Sequence, residues 1–241
     1  MAYPRTLPRP QAAGLPQPSG RLTQASAARG GAACAGGSGI WRPDSLTRLP
    51  VHLPGMKIGL FGGSFNPPHE AHRAVSLIGL KRIGLHRIWW LVTPGNPLKD
   101  TRELAPLAQR LAAARQLVRH SRIDVTGIEA LSGTRYSAET AAWLLRHCPG
   151  VHFVWIMGAD NLASFHLWHD WQGLAALMPM AIVDRGDTQR ALASPAAQRF
   201  ADSRIPEAMA PRLPLLAPPV WVFLHGLKSS LSSSSLRHRL G

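Results

Sequence analysis

From residue 56 onward, short apolar runs alternate with amphipathic stretches. Runs of strand length fall at residues 58–61, 88–92, 123–128, 151–157, 180–183 and 220–224. Between them the spacing turns helical. Leu107, Leu111, Ala114, Leu117 and Val118 share one face, with Arg110, Arg115 and Arg119 on others, and Pro106 suits a first helical position, so a helix is predicted over 106–120. A second is predicted over 137–147, capped by Ser137 and stopped before Pro149, and a third over 74–80. The Arg-rich stretch 185–204 reads as an exposed helix and loop. No internal repeat is visible. Strands alternating with helices predict an α/β chain built on a doubly wound, mostly parallel sheet in three αβα layers. Ligands of such sheets bind beyond the carboxyl ends of the strands, so residues just after each strand matter most.

Residues 1–55 break the pattern. They are rich in Pro, Gly, Ala, Ser and Arg and show neither period, so they cannot bury enough apolar surface to offset their ordering entropy. The expectation is a disordered extension, 1–55, before one domain, 56–241. Because Met56-Lys57-Ile58-Gly59-Leu60-Phe61 opens directly into a strand, Met56 is a candidate for the true start.

Composition changes this picture little. The formal charge of +14 suggests nucleic acid. Six arginines and one acid of that balance lie in 1–55, however, leaving 21 basic against 12 acidic side chains spread along the remainder. Such scatter suits a protein handling phosphate esters better than a nucleic-acid stripe. Two cysteines, Cys34 and Cys148, make no disulfide framework and point to a reducing cytoplasm. No apolar run reaches the roughly 18 residues that cross a bilayer.

The chemistry concentrates after the first strand, in Gly62-Gly63-Ser64-Phe65-Asn66-Pro67-Pro68-His69-Glu70-Ala71-His72. Two glycines permit a tight turn and close backbone approach to a phosphate. The helix that follows offers amide N–H groups and its positive dipole end to an anion. His69 and His72, three apart, would put two imidazoles on one side, able to donate to phosphate oxygens as charge builds. The string is neither a dinucleotide fingerprint nor a P-loop. A zinc pair is disfavoured because no third ligand stands near.

Residues 62–72 resemble the G-x-F-x-P-x-H-x-G-H signature of the nucleotidyltransferase superfamily, with Asn66 where many members have Asp and Ala71 where most have Gly. Within it, the chain resembles the bacterial nicotinate mononucleotide adenylyltransferases. The resemblance implies a Rossmann-like fold and in-line attack of a mononucleotide phosphate on the α-phosphorus of ATP, without a covalent enzyme intermediate. It further implies ATP contacts from Gly62, Gly63, Ser64 and Phe65, with His69 and His72 as catalytic residues. Thr93-Pro94-Gly95-Asn96-Pro97-Leu98-Lys99 resembles the loop whose basic residue, here Lys99, approaches the triphosphate. In Thr134-Arg135-Tyr136-Ser137, the resemblance gives Tyr136 and Ser137 to the nicotinate nucleotide; the same residues also read as a helix cap and staple. Gly158 and Asp160 are implied at ATP, and Asn161 and Trp168 at the nicotinate nucleotide, with Trp168 stacked on the pyridine ring and Trp171 reading as core. Finally, Ser232-Ser233-Ser234-Ser235-Leu236-Arg237 resembles a terminal Ser-Ser-Thr-x-Ile-Arg motif, which assigns Ser233, Ser234 and Arg237 to the ATP phosphates.

The expected reaction is transfer of AMP from ATP to nicotinate mononucleotide, giving nicotinate adenine dinucleotide and pyrophosphate. Mg²⁺ is expected to arrive with ATP, since no carboxylate cage is visible. No nucleic-acid or membrane partner is expected, and the sequence does not specify an oligomeric state. The rivals are the same chemistry on nicotinamide mononucleotide, phosphopantetheine or another phosphate acceptor, and a non-catalytic nucleotide- or nucleic-acid-binding module.

Overall fold

In the computed structural model the described residues are 49–95, 104–184, 186 and 188–226. They carry one seven-stranded, wholly parallel sheet. Its strands are β1 (Lys57–Gly63), β2 (Arg87–Val92), β3 (Ile123–Thr126), β4 (His152–Gly158), β5 (Met180–Val183), β6 (Arg204–Ile205) and β7 (Trp221–Leu224). They stand in the order β3-β2-β1-β4-β5-β7-β6. The order reverses between β1 and β4, which pair with Phe61 opposite Ile156. That reversal is the switch point at which open α/β sheets hold ligands.

Alternate strand residues feed two separate cores, which is why the strands read as nearly continuous apolar runs. One core takes Ile58, Leu60, Trp89, Leu91, Trp155 and Met157. It is covered by α3 (Ile128–Ser132), α4 (Ser137–His147), α5 (Ala159–Ser164), α6 (Trp171–Leu177), α7 (Thr188–Leu192) and α8 (Pro195–Arg199). The other takes Phe61, Ile88, Trp90, Val92 and Ile156 against α1 (Glu70–Arg82), α2 (Leu107–Val118) and a 3-10 stretch, Glu207–Leu215. The expected three-layer, doubly wound α/β fold is present.

Several expectations need correction. Residues 127–128 are not strand: Gly127 caps α3 and Ile128 is its first, fully buried residue. Pro106 is the cap of α2 rather than its first helical residue, with ψ 139°. Ser137 is likewise the first residue of α4, whose cap is Tyr136. The stretch 185–204 is not simply exposed, since Ala191, Ala196 and Ala197 are core. Arg110 does not face solvent. It is 2 % exposed on the buried side of α2, beside Leu111 and Ala114.

Candidate active site

Gly62 and Gly63 end β1 inside the sheet, and neither adopts a left-handed conformation. Their smallness is needed for space instead. A Cβ at Gly62 would lie 3.3 Å from the Trp155 ring, and one at Gly63 would lie 3.3 Å from the Phe65 ring. The turn itself is made at Phe65, with φ +46°, a conformation that costs an L-residue about 1–2 kcal/mol. Burial compensates, because the Phe65 ring is 1 % exposed and stacks on Trp90 at 4.6 Å and 11°. The Phe65 ring is therefore core, which leaves the backbone of Phe65, not its side chain, for the expected ATP contact.

That ring also supports the histidines. Phe65 lies 4.9 Å from the His72 ring and Phe61 lies 5.9 Å from it. His69 is the extended cap of α1 and His72 is the third residue of the helix. Their rings stack at 3.7 Å and 25°. The His69 amide donates to His72 Nδ1 at 3.2 Å, so neutral His72 carries its proton on Nε2. A relay fixes the turn from below: Trp90 Nε1 donates to Ser76 Oγ at 2.7 Å, which donates to the His72 carbonyl at 3.0 Å. Two imidazoles are thereby held side by side at the switch point, one with a defined Nε2–H donor.

The loop after β2 is tied to the same turn. Thr93 N donates to Gly63 O at 3.0 Å. Arg110 reaches up from α2, donating to the carbonyls of Ser64 at 2.8 Å, Thr93 at 2.7 Å, Pro94 at 3.2 Å and Ala105 at 2.7 Å. Burial lowers its pKa, yet a guanidinium keeps its charge. From the other side stands Glu129, 7 % exposed, whose carboxyl accepts from Thr140 Oγ1 at 3.3 Å. Burial pushes it up to about 7, against hydrogen bonds from Thr93 and Thr140 that lower it.

Across the switch point, Gly158 caps α5 and is buried, while Asp160 and Asn161 follow in its first turn, Asp160 exposed. The Tyr136 and His169 rings lie 4.1 Å apart, tilted by 32°, which sets Tyr136 against the residue that follows Trp168. Trp168 is half-buried and packs edge-on against Phe165 at 5.4 Å. Trp171 packs on Phe165 and Phe200, as its core reading implied. The structure thus gathers His69, His72, Gly62, Gly63 and Ser64 into one cluster, and sets Tyr136 against His169, the sequence neighbour of Trp168. Lys99, Ser233, Ser234 and Arg237 lie outside the described residues. Among the described residues no group of three or more His, Cys, Asp or Glu could hold a metal ion.

Sequence reasoning missed Ser76, Trp90, Arg110, Glu129 and His169. For Arg110 a signal existed: it sits three after Leu107 and four before Ala114, in phase with the apolar stripe of α2.

A glycine-rich strand end, paired histidines and a parallel switch point define a nucleotidyltransferase. The cytidylyltransferase-like family model matches residues 60–239. Curated relatives named "Probable nicotinate-nucleotide adenylyltransferase" come from a Bradyrhizobium species, 58 % identical over 184 residues, and from Methylorubrum extorquens, 55 % identical over 185. These alignments cover 76 % of this chain and 96 % and 100 % of the relatives. The chain belongs to this family of nicotinate-nucleotide adenylyltransferases within the cytidylyltransferase-like group. A Plasmodium falciparum nicotinic acid mononucleotide adenylyltransferase, solved in complex with NaAD, shares the fold with a TM-score of 0.57 at 20 % identity, over 76 % of this chain and 83 % of its own.

Proposed function

We propose that the protein transfers AMP from MgATP to nicotinate mononucleotide, releasing pyrophosphate and forming nicotinate adenine dinucleotide. The carrying observation is the stacked His69–His72 pair at the β1/β4 switch point, in a chain 58 % identical to a nicotinate-nucleotide adenylyltransferase. In this reading a phosphate oxygen of the mononucleotide attacks the α-phosphorus in line, and the bond to the pyrophosphate oxygen breaks. The work of the protein is positioning and charge stabilisation. His72 Nε2–H and His69 donate to the α-phosphate oxygens as charge builds there. Ser64 and the amides of the turn receive ATP together with Gly158 and Asp160, while Lys99, Ser233, Ser234 and Arg237 hold the outer phosphates. Tyr136, Ser137, Asn161 and Trp168 receive the nicotinate nucleotide, with Trp168 offering an aromatic face to the pyridine ring. Mg²⁺ enters as part of the nucleotide substrate and neutralises phosphate charge. A cytoplasmic setting suits the buried Cys148 thiol, which burial pushes up to about 11 and keeps unreactive.

The test is pyrophosphate release from ATP with nicotinate mononucleotide, nicotinamide mononucleotide and phosphopantetheine offered separately. Release with nicotinate mononucleotide in clear preference is expected. Release with phosphopantetheine alone, or with none of them, would overturn the reading.

A further inference from the structure

The buried cation beneath the crevice has no role in the chemistry described so far. Arg110 is 2 % exposed, and among the described residues its partners are four backbone carbonyls drawn from three segments. Those segments are the turn after β1, the loop after β2 and the entry to α2. Removing a guanidinium from water is costly, and one positioned only for fold stability would be replaceable by an apolar side chain. The chosen acceptors indicate a different use. A trans peptide points its carbonyl and the next N–H in opposite directions. Holding Ser64 O towards Arg110 therefore turns the Phe65 N–H away from it, and holding Pro94 O does the same for the Gly95 N–H. Both peptides lie in loops that leave the carboxyl ends of β1 and β2, and Thr93 N–H to Gly63 O links those loops directly. The Phe65 ring, locked on Trp90, removes the remaining freedom of the first of them.

We propose that Arg110 is a positioning residue for ATP: by drawing the Ser64 and Pro94 carbonyls inward, it presents the Phe65 and Gly95 amides to the nucleotide's phosphates. The proposal rests on the AMP-transfer reading for its ligand. Lysine cannot replace it, because one ammonium cannot span four acceptors held by a planar fork.

Arg110→Lys and Arg110→Gln are compared with the wild type by far-UV circular dichroism, thermal unfolding and separate titrations with MgATP and nicotinate mononucleotide. ATP affinity is expected to weaken about tenfold or more in both variants while mononucleotide affinity holds. Equal loss for both ligands, or unchanged ATP affinity in a folded variant, would overturn the proposal, since the first is what a merely structural staple would give. A measurement on the intact wild type does not depend on the variants folding. In ¹⁵N-labelled protein the Phe65 and Gly95 amide resonances should shift on adding MgATP; two unmoved amides would equally refute it. If those amides shift but no mononucleotide supports pyrophosphate release, the functional reading fails and the role of Arg110 stands.

Discussion

His72 is oriented by the backbone of its neighbour: the His69 amide occupies Nδ1 and leaves Nε2–H to donate. His72→Ala should therefore leave the fold intact, since the ring is only half-buried, and lower kcat by about 10²–10³-fold. Wild-type turnover in a folded variant would refute the role. Glu129 makes a second prediction at this scale. Its carboxyl stands at about 7 when folded against an ordinary 4.5, so the folded chain binds this proton more tightly than the unfolded one. That contribution is fully present below about pH 4.5, declines as pH rises and is gone above about pH 7. In denaturant unfolding from pH 5 to 8, wild-type stability relative to Glu129→Gln should fall by roughly 2–4 kcal/mol; a flat difference would contradict the buried-acid account. The pairing of the two histidines was legible in the sequence because a spacing of three residues is local. Glu129 was not, because its partners are hydroxyls brought from other elements, and Arg110, though in phase with the apolar stripe of α2, was passed over because a charged residue in a helical stretch ordinarily faces water.

Among the elements, β1 is packed without spare room at Gly59. A Cβ on Gly59 would fall 2.5 Å from Ile156 Cδ1 and 2.8 Å from Leu85 Cδ1, and Gly79 on α1 meets the same Ile156 atom. Gly59→Ala must push these side-chain tips aside, at a cost of about 1–3 kcal/mol in a denaturant melt. The cap of α4 is a second such element. Glu139 accepts from the amides of Arg135 at 3.0 Å and Tyr136 at 3.3 Å. Glu139→Ala should cost about 0.5–2 kcal/mol and raise KM for the mononucleotide more than for ATP, because Tyr136 sits on that cap. Six of the seven strands were readable as apolar runs. β6 was not, because two residues carry no period. The run 123–128 overran because buried Ile128 continues the apolar signal after the backbone has already turned at Gly127.

On the scale of the whole molecule, the family match begins at residue 60, and 185 residues of this chain cover the full length of the Methylorubrum relative. We propose that residues 56–241 are the catalytic unit. A chain expressed from Met56 should release pyrophosphate with unchanged kcat, and loss of activity would give residues 1–55 a part in the reaction. Intact mass of the natively expressed protein should correspond to a start at Met56, and retention of 1–55 would contradict that start. Among the described residues no helix is long and apolar enough to cross a membrane. The strand order has a consequence for how the chain is made. β1 is synthesised first yet lies mid-sheet, with β2 on one side and β4, which starts 95 residues after it, on the other. While the ribosome is still translating the second half, β1, β2 and β3 can pair, but one edge of β1 stays open. The half-made enzyme thus presents its glycine-rich strand as a bare edge to any neighbouring nascent chain.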